Sequence, residues 1–133
     1  MRGTAAVPDA DLLRQREVVA AFLAAAREGD FEALLAVLAE GVVVRADYDT
    51  TPTGASRLVR GARAVAEGAL TFSRLARFAR PALVNGAAGL VTAREGQPFS
   101  VMGFTVVRGK IVEIDVLADP ERLRRLDLAV LDG

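Results

Sequence analysis

Apolar residues recur at helical spacing in the first third of the chain and alternate or run unbroken in its second half. Val19, Phe22, Leu23 and Ala26 fall at i, i+3, i+4 and i+7, one face of a helix that Gly29 ends. Asp30 stands where an N-cap belongs, and Phe31, Leu34, Leu35 and Leu38 repeat the spacing in a second helix, predicted to close at Gly41. Val42 to Asp47 reads as a strand, 48–55 (YDTTPTGA) as an irregular loop, and Ser56 to Arg60 as a short strand. A third helix is predicted from Ala62 to Ala79, with Val65, Ala69, Phe72 and Ala76 inward and Arg63, Arg74, Arg77 and Arg80 along the outer side. Pro81 to Asn85 and Ala87 to Arg94 are strands joined at Asn85-Gly86, a strong hairpin signal. Val101 to Val107 and Ile111 to Leu117 form a second hairpin around Arg108-Gly109-Lys110. Asp119 then caps a last helix, with Pro120 at its first position and Leu123, Leu126 and Val130 as an apolar edge.

Helices first and antiparallel strands afterwards give an α+β fold, with helices on one face of a curved sheet. The folded unit is expected to span 12–128, after a linker or chain start at 1–11 and before a tail at 129–133. Both strands of the second hairpin are apolar on two faces, so something packs on each side. A two-residue loop in regular register puts Met102, Phe104 and Val106 on one face with Ile111, Glu113 and Asp115. Val101, Thr105, Val107, Val112, Ile114 and Val116 then take the other.

Composition narrows the chemistry. The chain has 133 residues, of which 52% are hydrophobic, enough for one domain with a proper core. Seventeen basic residues match 17 acidic ones, which argues against direct nucleic-acid binding through phosphates. No cysteine and no histidine are present, so thiolate nucleophiles, Ser-His triads and all but carboxylate metal sites are excluded, and no cofactor is expected. No apolar run approaches the roughly 20 residues needed to cross a bilayer, and the expectation is a cytoplasmic protein without a membrane partner.

Four groups of residues are candidates for function. Glu113 and Asp115, if their face lines a pocket, become a general acid or base with raised pKa. On an outer face they are solvated or paired with arginine, the commoner arrangement. Asp47, Tyr48 and Asp49 gather polar groups at the end of the first strand, where a structural or lid role outweighs catalysis. Phe22, Leu75, Phe78, Val84, Leu90 and Phe104 are candidates to line a cavity for a small apolar ligand. Arg122, Arg124 and Arg125, beside Leu123 and Leu126 after the Asp119-Pro120 cap, suit contact with an acidic, partly apolar partner.

The element order, with LLAVLAEGVVVRAD (Leu34 to Asp47), resembles the cone-shaped fold of the nuclear transport factor 2-like superfamily, which includes SnoaL-like and ketosteroid isomerase-like proteins. That resemblance implies a sheet wrapped around the third helix and a hydrophobic pocket at the open end. Its isomerases place a base just after the first strand. Here that position falls at Ala46, with Asp47 one residue late. ARPALVNGAAGLV (Ala79 to Val91) and FTVVRGKIVEIDVLADPERLRRLDL (Phe104 to Leu128) resemble more narrowly the SnoaL-like carboxy-terminal extension of a group of extracytoplasmic-function sigma factors. Asn85-Gly86 and Asp119-Pro120-Glu121-Arg122-Leu123 are the most specific landmarks, while relatives with glycines after the first-strand Asp differ from Tyr48-Asp49-Thr50 here. The implied role is a non-catalytic regulatory domain that contacts sigma core domains in cis and tunes RNA polymerase. The isolated domain is expected to pair as a homodimer burying on the order of 1,200 Å² or more. The alternative is a free-standing isomerase or hydrolase using Asp115 or Glu113.

Overall fold

In the computed structural model, residues 11–47, 56–71, 73–94, 97–118, 123, 126 and 128–130 are described. Asp11 opens α1 (Leu12–Glu28) by accepting from the backbone N–H groups of Leu13 and Arg14 at 3.0 and 3.4 Å, so it belongs to the folded unit. Gly29, at φ 69°, ends the helix in the left-handed conformation that glycine adopts without strain. Asp30 accepts from Ala33 N at 3.1 Å and starts α2 (Phe31–Val37). That helix ends sooner than its spacing implies. Leu38 is already extended (φ −100°, ψ 136°) and begins β1 (Leu38–Asp47), where it pairs with Ile111 and is almost wholly buried. Sheet pairing, a long-range contact, overrides the local helical period. The Lys110 ammonium group donates to the Ala36 carbonyl at 2.5 Å and satisfies one of the orphaned acceptors at the helix end.

After β2 (Ser56–Arg60), the third helix also comes out shorter, as α3 (Ala62–Thr71) and a single turn α4 (Ser73–Ala76). Ala79 is the first residue of β3 (Ala79–Val84), buried and paired with Thr92. Arg27 fastens this junction to α1, its Nε donating to Ala76 O at 3.0 Å and its Nη2 to Ala79 O at 2.6 Å. The remaining strands are β4 (Ala87–Arg94), β5 (Gln97–Val107), β6 (Lys110–Leu117) and β7 (Leu128–Val130).

Among the described residues seven strands lie in the order β2-β1-β6-β5-β4-β3-β7, with β1 and β6 parallel and the other neighbours antiparallel. The turns at Asn85-Gly86 (51° and 85°) and Arg108-Gly109 (53° and 77°) each have two residues at positive φ, the twist that suits tight hairpins. β7 corrects the expected ending. The stretch read as the end of a helix and the start of a tail pairs instead with β3, Val84 with Leu128 and Ala82 with Val130.

The hairpin of β5 and β6 holds the most consequential difference from a regular register. Val106 pairs with Ile111 but Thr105 pairs with Glu113, so Val112 is an extra residue, a β-bulge. Beyond it every side chain of β6 changes face. Phe104 stands opposite Ile114 and Met102 opposite Val116, while Glu113 and Asp115 stand opposite Thr105 and Gly103. The two carboxylates therefore do not share a face with Met102 and Phe104, contrary to the sequence expectation.

Helices cover one face of the sheet, where Val19, Phe22, Leu34, Ile111 and Ile114 are almost fully buried in one cluster. Phe22 meets Phe104 edge to face, ring centroids 5.3 Å apart, a geometry that adds to simple burial. A smaller cluster sits on the outer face, where Ala82, Val91 and Val101 are covered by Leu123. The hairpin is thus packed on both sides. Gly89 marks a close approach, since a Cβ there would lie 2.5 Å from the Met102 carbonyl oxygen and 2.7 Å from Val84 Cγ2. Gly89→Ala is expected to cost about 1–3 kcal/mol of stability. A thermal melt superimposable on that of the parent chain would contradict this.

Candidate functional site

A cavity of about 300 Å³ opens between α3 and the helix-side face of the sheet. Strand alternation brings Val44 and Ala46 of β1, Val59 of β2 and Ile114 and Val116 of β6 to its wall, and Met102 of β5 completes that side. Phe22 closes it from α1, and Val65 and Ala69, one helical turn apart, line it from α3. Gly68 adds room, because a Cβ built there would meet nothing within 4 Å. Thr71 supplies the one side-chain hydroxyl among the described lining residues, and none of them carries a titratable group. Such a wall offers dispersion and apolar burial, and among the described lining residues the Thr71 hydroxyl, which donates to Glu67 O at 3.2 Å, is left to accept from a ligand.

The residues singled out by sequence are only partly gathered here. Phe22 lines the cavity. Phe104 and Leu90 are buried in the same core without reaching its wall. Val84 packs with the outer cluster, and Phe78 is 52% exposed at the turn before β3. Leu75 belongs to α4, but its side chain is outside the described residues. The pairing hidden by the bulge concealed Ile114 and Val116, whereas Val65 and Ala69 carried a readable inward spacing.

Glu113 and Asp115 occupy outer-face positions. Glu113 forms an ion pair with Arg45 of the adjacent strand, and Asp115 is exposed. With Arg45 half-exposed, that bridge contributes on the order of 0.5 kcal/mol and holds Glu113 away from any reaction in the cavity. Ala46 faces the cavity where an isomerase would carry its base, and Asp47 is the last residue of β1. Tyr48 and Asp49 lie outside the described residues, as do Asp119, Pro120, Arg122, Arg124 and Arg125 of the expected partner segment. Leu123 and Leu126 of that segment pack on this chain's own sheet. Among the described residues no three acidic groups converge as a metal site, and no helix is long and apolar enough to cross a membrane.

An α+β sheet curved around helices with an apolar hollow between them is the fold of the nuclear transport factor 2-like proteins, the class of which SnoaL-like domains are part. Across 83% of its length the chain is similar to the Mycobacterium tuberculosis extracytoplasmic function sigma factor SigJ, with a TM-score of 0.67 and 25% identity. The chain spans 44% of the length of that sigma factor. A nuclear transport factor 2-like protein from Burkholderia xenovorans LB400 matches 88% of this chain and 98% of its own, with a TM-score of 0.55 and 23% identity. A candidate ketosteroid isomerase from Kribbella flavida matches 82% and 80%, with a TM-score of 0.50 and 16% identity. These last two likenesses concern the fold. No family model matches the chain, and no curated protein does.

Proposed function

We propose that this chain is a regulatory, non-catalytic domain of an extracytoplasmic-function sigma factor, acting with sigma core domains in cis to modulate RNA polymerase in transcription initiation. Its cavity takes a small apolar ligand whose occupancy biases that contact, and its place of work is the cytoplasm, with the polymerase. The observation that carries this reading is the cavity wall, apolar throughout except for Thr71 and without a titratable side chain among its described residues. The likeness to SigJ supplies the context. An isomerase or hydrolase built on Glu113 and Asp115 finds both across the sheet from the cavity, on the face opposite Phe104 and Ile114.

Naphthalene is a suitable probe of the hollow, being apolar and rigid. Its binding to the folded state alone raises the melting temperature by mass action. Ala69→Leu, which extends a side chain from the α3 wall, is expected to keep the fold and abolish that rise. Equal shifts in the parent chain and the variant would rule out the cavity as the site.

A further inference from the structure

On the far side of α1 from the cavity, two hollows of about 440 and 240 Å³ adjoin at Ala20 and Pro81 and form one groove between α1 and β3. Arg27, Arg77 and Arg80 surround its larger end over a floor of Ala20, Leu23, Ala24 and Pro81. Arg27 is held there by the Ala76 and Ala79 carbonyls, while Arg77 and Arg80 are exposed. Among the described residues no carboxylate forms an ion pair with Arg77 or Arg80. The smaller end is lined by Leu13, which is 67% exposed, with Arg16 and Glu17. A chain with no net charge has thus concentrated three guanidinium groups over an apolar floor.

We propose that this groove docks an extended acidic segment of a partner protein, carboxylates against Arg77 and Arg80 and an apolar residue toward Leu13. From Leu13 to Arg27 α1 runs about 21 Å, at about 1.5 Å per residue, the reach of roughly six extended residues. Guanidinium groups form forked hydrogen bonds to carboxylates, and the apolar floor suits a peptide's aliphatic side chains better than a sugar-phosphate backbone. Recognition runs through side chains rather than strand addition. Among the described residues β7 pairs with Ala82 to Val84, and the start of β3 is blunted by Pro81, which has no N–H, and by Arg27 on the Ala79 carbonyl. This inference does not depend on the sigma-factor reading.

The test is fluorescence anisotropy of a labelled six-residue peptide, three glutamates at one end and leucine at the other, titrated with the purified chain. Saturable binding below ~1 mM is expected, weakened about tenfold or more by Arg77→Glu with Arg80→Glu. Arg60→Glu with Arg63→Glu, an equal charge change at the end of the opposite edge strand β2 and the start of α3, should leave it within about twofold. Arg77→Gln with Arg80→Gln serves if circular dichroism shows the charge reversal unfolded. Failure to saturate, equal losses in both double variants, or tighter binding of a six-nucleotide single strand than of the peptide would overturn the proposal.

Discussion

Ile114→Asp is expected to leave the chain without a cooperatively folded state, since it sets an unpaired carboxylate opposite Phe104 in the helix-side core. Val112 is the extra residue of the bulge that lets Ile111 pair with Val106 and Ile114 with Phe104 on the same face. Were Val112 paired instead in a continuous ladder from the Arg108-Gly109 turn, Ile114 and Val116 would face outward and Glu113 and Asp115 would enter the helix-side core. Burying one unpaired carboxylate costs several kcal/mol, and two together approach the whole 5–15 kcal/mol, roughly, by which domains are stable. A cooperative melt within about 5 °C of the parent would contradict the register described here.

Leu123→Ala is expected to lower stability by about 2–4 kcal/mol, a fall in melting temperature of roughly 10 °C. Leu123 is 7% exposed and covers Ala82, Val91 and Val101, an outer apolar cluster whose partly buried margin includes Leu126 and Leu128. Truncation leaves a cavity that this thin cover has few neighbours to refill, and it loosens the approach to β7. The expectation reverses the emphasis that sequence placed on this leucine. Its burial makes it part of the fold, and any partner contact by the segment falls to its other residues. An unchanged melting temperature would show that the outer cluster does not hold the sheet.

Local signals were legible in the sequence because neighbouring residues decide them. Asp30 after Gly29 marked a cap after a stop, and Asn85-Gly86 marked a turn that needs positive φ at both positions. The α+β order followed from the switch between helical and alternating periods. Long-range pairing was not legible. Leu38 fits the helical spacing of Leu34 and Leu35, yet its place opposite Ile111 turns it into strand. Leu126 follows Leu123 at helical spacing, but Leu128 is drawn into pairing with Val84. The bulge at Val112 carries no compositional mark, since a valine suits strand and bulge alike. Whether it is paired or bulged decides which side chains of β6 see the cavity, and the regular register put Ile114 and Val116 on the other face.

The most direct measurement is promoter-dependent transcription by RNA polymerase supplied with the intact product of the gene encoding this chain, with and without residues 12–130. A regulatory domain acting in cis predicts a promoter-specific transcript whose yield changes several-fold when those residues are removed. Absence of any transcript with the intact product, or a yield indifferent to the removal, would contradict the account.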